Sequence, residues 1–186
     1  GESGSSVEDK ARPLEADAPS PVFEQLVDLG ARYRIQGVIG SGGMGQVLRA
    51  VEIRLGRPVA IKRLQSDVAE SQGALRRFLT EAQSVAVLSH PNITQVFDYG
   101  RDADGPFIVM ELIDGESLAE RLQRGPLEPQ AAVELICQVC DGLEFAHARG
   151  IIHRDIKPGN ILIGQDTVPR LADFGLARQE FSDLGQ

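Results

Sequence analysis

Between residues 153 and 160 the chain reads His153-Arg154-Asp155-Ile156-Lys157-Pro158-Gly159-Asn160, and Asp173-Phe174-Gly175 follows shortly after. Asp155, Lys157 and Asn160 bring an acid, an amine and an amide together, and Asp173 adds a second acid. These types suit chemistry on an anionic, metal-bound group. Carboxylates and an amide oxygen can hold a divalent cation. An ammonium can neutralise a migrating phosphoryl group, and a carboxylate beside a hydroxyl can orient it and take its proton. A single loop aspartate is ordinarily a turn or capping residue. Four polar residues in this order, with Phe174-Gly175 attached, ask for more than that.

Two upstream stretches bear on the same chemistry. Gly40-Ser41-Gly42-Gly43-Met44-Gly45-Gln46-Val47 spaces its glycines as G-x-G-x-x-G-x-V, which lets backbone turn tightly and approach phosphate oxygens. A plain hairpin turn or a Rossmann-type fold uses a similar string. The Rossmann reading expects a helix directly afterwards and an acid about twenty residues on. Here a strand-like run follows, and Lys62 stands near that distance. In Val59-Ala60-Ile61-Lys62 the alternation of a strand points Val59 and Ile61 one way and Ala60 and Lys62 the other.

With these strings in view, the chain resembles the serine/threonine protein kinases, and more narrowly the eukaryotic-like type found in bacteria. The resemblance covers about residues 32–182 and implies an α+β, two-lobed fold: an N-lobe of antiparallel sheet plus one helix (about 32–112) and a partial helical C-lobe (about 116–186). It implies ATP and Mg2+ as cofactors and serine/threonine side chains of proteins as substrates. By position, Asp155 is expected to orient the substrate hydroxyl and Lys157 to neutralise the γ-phosphate. Lys62 is expected to reach the α- and β-phosphates, paired with Glu81 on a helix. Asn160 and Asp173 are the expected metal ligands. Ile39, Val47 and Ala60 would lie above the adenine and Leu162 below it, with Gly40, Ser41, Gly42, Gly43, Met44 and Gly45 over the phosphates. Met110 would stand behind the base, and the Glu111 carbonyl and Ile113 amide would meet its edge.

The same resemblance makes His153 a packed residue and Arg154 a partner for a phosphorylated activation segment. His90-Pro91-Asn92-Ile93 reads as a structural turn, and His147 as a packed or surface residue. Lys157, two residues after the loop acid, favours serine/threonine over tyrosine specificity. Two competing readings differ in class. A nucleotide-binding pseudokinase or scaffold would normally lack one of Lys62, Asp155 or Asp173, and all are present. An aminoglycoside-phosphotransferase-like enzyme would lack Arg154 and Lys157.

The elements that must hold these residues are legible as periodicities. Alternating or β-branched runs predict strands at 33–39, 46–53, 58–64, 94–99 and 107–113, with a turn at 102–105. Apolar residues at Leu75, Phe78, Leu79, Ala82, Val85 and Leu88 predict a helix over 73–88. A short helix is expected at 117–123 and a longer one over 129–149, opened by Pro129 and closed by Gly150. Its stripe would be Leu135, Ile136, Val139, Leu143 and Ala146. Short extended pieces at 151–152, 161–163 and 170–172 would frame the loops, and the two lobes would join near 111–115.

The 186 residues carry a net charge of −8, of which residues 1–30 hold −5. This acidity argues against a nucleic-acid polymer as partner. Residues 1–25, rich in Gly, Ser, Pro, Glu and Asp, are expected to be a disordered acidic leader, and 23–29 a short amphipathic piece. No apolar run is long enough to span a bilayer, and no signal segment is seen, so a cytoplasmic location is expected. Cys137 and Cys140, in a helical pattern without a second pair, are expected to be structural. The chain starts with Gly1 and ends at Gln186, ahead of any A-P-E string. It is therefore expected to be a fragment stopping in the activation segment, with apolar surface left on the long helix.

Overall fold

The computed structural model describes residues 28–42, 45–64 and 82–174. The expected leader, Gly43, Met44, Glu81, Gly175 and the remaining C-terminal residues lie outside that set, as does most of the helix expected over 73–88.

A single turn of helix, α1 (Leu29–Arg32), opens the described chain, its first turn capped by Asp28 accepting from the Ala31 N–H at 3.2 Å. Five antiparallel strands follow: β1 (Tyr33–Gly42), β2 (Gly45–Glu52), β3 (Arg57–Leu64), β4 (Val96–Asp102) and β5 (Gly105–Glu111), in the order β1-β2-β3-β5-β4. Register follows from burial. Leu48 opposes Ile61 and Ala50 opposes Val59, and these four pack with Leu29, Tyr33, Phe107 and Val109 into one cluster. Slipping β2 by one residue would send the charged side chain of Arg49 into that layer. Val47 opposes Lys62 and Arg49 opposes Ala60 on the other face, as the V-A-I-K alternation requires. Arg63 closes the β4–β5 hairpin with a two-pronged bond to Asp102, at 2.8 and 2.6 Å.

Residues 82–86 are helical and lead into the turn at 90–93. There the Asn92 side chain donates to the Pro169 carbonyl at 2.9 Å. A second sheet, β6 (Gly115–Ser117), β7 (Ile161–Gly164) and β8 (Pro169–Leu171), lies in the C-terminal half. The sequence reading assigned no strand at 115–117: three residues with one glycine show no alternation. Helix α2 (Leu118–Gln123) carries a reciprocal cap between Ser117 and Glu120. Helix α3 (Pro129–His147) begins on a proline that lacks only an amide no helix would use, and the chain leaves it through Gly150 at φ 75°.

The second core joins Val85, Leu88 and Ile93 to Leu118, Val139, Ala146, Ile161, Leu171 and Phe174. Each fully buried aliphatic or aromatic side chain in it contributes about 1.5–3 kcal/mol. Two expectations for α3 need correcting. Ile136 is not in the packed stripe but is 48% exposed, along with Val133 at 62%. Cys137 and Cys140 are both exposed free thiols rather than packing residues. The physical reason is shared: Val139, Gly142 and Ala146 form the inward face, and these side chains point away from it. His147 is exposed.

Candidate functional site

The loop after α3 carries the polar cluster, braced by a short 3-10 turn at Pro158–Asn160. Asp155 Oδ2 accepts from the Lys157 ammonium at 2.7 Å and from Asn160 Nδ2 at 2.9 Å. Asn160 Nδ2 also donates to the Asp155 backbone carbonyl at 2.8 Å. The Lys157 bond, with Asn160 in support, holds the Asp155 carboxyl below the usual aspartate range. The carboxylate is therefore ionised and ready to accept a proton or orient a hydroxyl. With Asn160 Nδ2 committed to Asp155, Oδ1 is the Asn160 atom able to meet a cation.

His153 supports this loop from beneath. It is fully buried, and its Nδ1 accepts from the Asp155 N–H at 3.3 Å. That places the ring proton on Nε2, which donates to the Ala172 carbonyl at 2.8 Å. Burial pushes its pKa down, so the neutral ring is favoured. Phe174 packs against it with ring centroids 4.4 Å apart. Arg154 and Asp173 both adopt left-handed backbone, φ 67° and 61°. This is a costly conformation for side-chain-bearing residues and one that concentrates at functional loops.

Asp173 faces the sheet. Its Oδ1 lies 2.7 Å from the Lys62 ammonium, and Lys62 is only 5% exposed. A buried ammonium needs a carboxylate partner. The partner expected by resemblance, Glu81, lies outside the described residues, and Asp173, expected as a metal ligand, holds the amine here. The two lie far apart in the chain, so no spacing rule links them. Lys62 on β3 is thus tied to Asp173, whose chain neighbour Ala172 bonds both His153 and Asn160 of the loop that carries Asp155 and Lys157.

The residues expected to flank a nucleotide lie on β1, β2, β3, β5 and β7, except that Ile113, expected within a strand over 107–113, falls beyond the end of β5 at Glu111. Gly40 opposes Val47, and Gly42 opposes Gly45, at the tip of the β1–β2 hairpin. Ala60 is buried on β3 opposite Met110. Ile39 is 51% exposed, an apolar side chain available to a ligand. Glu111 ends β5, Ile113 lies in the connection to β6, and Leu162 lies on β7. Among the described residues no group of three or more His, Cys, Asp or Glu forms a cation cage. Asn160 and Asp173 offer two hard oxygen donors, which suits a magnesium ion that completes its shell with phosphate oxygens and water.

The protein kinase domain family model matches residues 33–183. The chain is 45% identical over 166 residues to the serine/threonine-protein kinase PknL of Mycobacterium tuberculosis, covering 89% of this chain and 41% of that protein. It is 43% identical over 155 residues to PknB of Mycobacterium leprae, covering 81% and 25% respectively. The chain therefore spans about two fifths or less of the length of these relatives. Among solved structures, a point mutant of the Mycobacterium tuberculosis PknI kinase domain superposes with TM-score 0.71 at 30% identity, over 80% of this chain and 61% of that one. Rad53 residues 1–466 in complex with AMP-PNP gives 0.68 at 30% identity, over 78% and 38%.

Proposed function

The chain belongs to the protein kinase family, and from that premise we propose that it forms the catalytic part of an ATP-dependent serine/threonine kinase. The adenine would lie between Ile39, Val47 and Ala60 above and Leu162 below, its edge meeting the Glu111 carbonyl and Ile113 amide. The backbone of Gly40 to Gly45 would cover the phosphates, and Lys62 would hold the α- and β-phosphates, with Glu81 as its second partner. Magnesium, held by Asn160 and Asp173, would supply positive charge against the phosphate oxygens.

The observation that carries this reading is the ionised Asp155 clasped by Lys157 and Asn160. In the proposed reaction the substrate hydroxyl oxygen attacks the γ-phosphorus and the bond to the β–γ bridging oxygen breaks. ADP departs, and Asp155 orients the hydroxyl and accepts its proton. Lys157 stands beside Asp155 with an ammonium able to offset charge on the transferring group. Substrates would be proteins presenting serine or threonine. Among the described residues no helix is long and apolar enough to cross a membrane.

The test is Asp155→Asn in the whole protein. Phosphorylation of a protein substrate is expected to fall by on the order of 100- to 10,000-fold, with ATP affinity nearly unchanged. Undiminished turnover would overturn the assignment.

A further inference from the structure

The connection between the two halves, residues 111–115, is fastened to the β7–β8 hairpin at two points. Gln165 gives its backbone N–H to the Asp114 carbonyl at 3.0 Å and its side-chain amide to Asp114 Oδ2 at 2.8 Å. At the other end, Arg170 Nε lies 3.6 Å from Glu111 Oε1. Arg170 is itself locked in place. Its two terminal nitrogens bond Asp166 at 3.1 and 2.6 Å, and Nη1 also reaches the Val168 carbonyl at 3.2 Å. The Arg170 bond pulls the Asp166 pKa down to about 2, so this anchor stays charged throughout the neutral range. The second Glu111 oxygen takes the Gln95 N–H at 3.4 Å, and the Glu111 N–H goes to the Gln95 carbonyl at 2.8 Å.

Register places this strap at the base site. Arg170 is the cross-strand partner of Leu162, so the two side chains share one face of the hairpin. One hairpin therefore carries both the proposed floor of the adenine and the cation that grips Glu111. An adenine edge and a guanine edge present opposite donor and acceptor patterns to a fixed backbone. Telling them apart requires that the backbone not shift or rotate to suit the wrong base.

We infer that Arg170 and Gln165 are positioning residues for nucleobase selectivity: they hold the 111–115 connection rigid, so that its fixed carbonyl and amide accept adenine and reject guanine. This rests on the proposed ATP-binding function. Neither residue touches the nucleotide in this scheme. Cutting the strap lets the connection adapt, which weakens ATP binding and relieves the penalty on GTP.

The experiment is titration of the whole protein with ATP and with GTP by calorimetry, for the native sequence, Arg170→Ala, Arg170→Lys and Gln165→Glu, with Arg124→Ala as control. Arg124, just past α2, pairs with Glu116 on β6 and takes no part in the strap. Thermal melting checks that each variant is folded. The ATP-over-GTP preference is expected to fall about fivefold in Arg170→Ala, the equivalent of one lost polar interaction. It should be largely restored in Arg170→Lys and fall again in Gln165→Glu, where a carboxylate would face Asp114. Arg124→Ala should leave it unchanged. Equal weakening of both nucleotides, or an unchanged ratio in a folded Arg170→Ala and Gln165→Glu, overturns the inference. A native whole protein that binds neither nucleotide overturns the proposed function instead, and the strap's role with it.

Discussion

The Lys62 ammonium sits 2.7 Å from Asp173 Oδ1, tying the middle strand of the sheet to the segment that follows β8. One contact thus joins the five-stranded sheet to the C-terminal half, and under the proposed function each partner holds a charge that a bound, metal-loaded triphosphate would need. Nucleotide and magnesium would insert between them, the anion taking Lys62 and the cation taking Asp173.

Lys62→Met keeps the buried stem and removes the charge. In the whole protein kcat is expected to fall by on the order of 100-fold, the usual cost of deleting one preorganised donor to a reacting phosphoryl or acyl group. Steady-state kinetics with a melting curve checks this; full activity in a folded variant would contradict the assignment.

Lys157 is the main reason Asp155 stays ionised below the ordinary aspartate range. A depressed pKa in the folded state stabilises the fold above the unfolded value, and that contribution is lost as pH falls through the folded one. Carboxyl-carbon NMR titration of Lys157→Met should show the Asp155 transition moving to higher pH. An unmoved transition would mean that some other group depresses it.

Gly45, third glycine of the loop motif, is required by the sheet as well as by any ligand. It has φ 132°, and a Cβ there would run into the Arg63 carbonyl on β3. Gly45→Ala should therefore cost about 1–3 kcal/mol in the absence of nucleotide. The denaturation midpoint reports it directly.

Among the described residues Thr94 Oγ1 is buried and finds no hydrogen-bond partner, beside a cavity of about 30 Å³ shared with Met110, Asp173 and Phe174. Thr94→Val removes the unsatisfied hydroxyl and keeps the β-branched shape, so stability should rise by about 1 kcal/mol. A lower melting temperature would show that the hydroxyl is satisfied in solution.

Sequence carried the local features well. The strand alternation around Ala60 and Lys62, the glycine hairpin and the ends of α3 follow from short-range spacing, and the loop from His153 to Asn160 was legible through its resemblance to the kinases. What it could not carry were contacts made by distant segments. Lys62 meeting Asp173, Arg170 gripping Glu111 and Gln165 holding Asp114 each depend on how two separate elements are docked, which no periodicity encodes. Strand β6 was missed because its pairing with β7, and not its own composition, makes it a strand. The α3 stripe was misread at Ile136 because an apolar residue one position from Leu135 falls just off the inward face.

His153 takes the Asp155 N–H and gives its own proton to the Ala172 carbonyl, while Asn160 grips Asp155 through its side chain and receives the Ala172 N–H on its main-chain oxygen at 2.9 Å. The proposed proton acceptor and the proposed metal-side acid therefore ride on a common chassis, since Ala172 directly precedes Asp173. Any force that displaces one must drag the other.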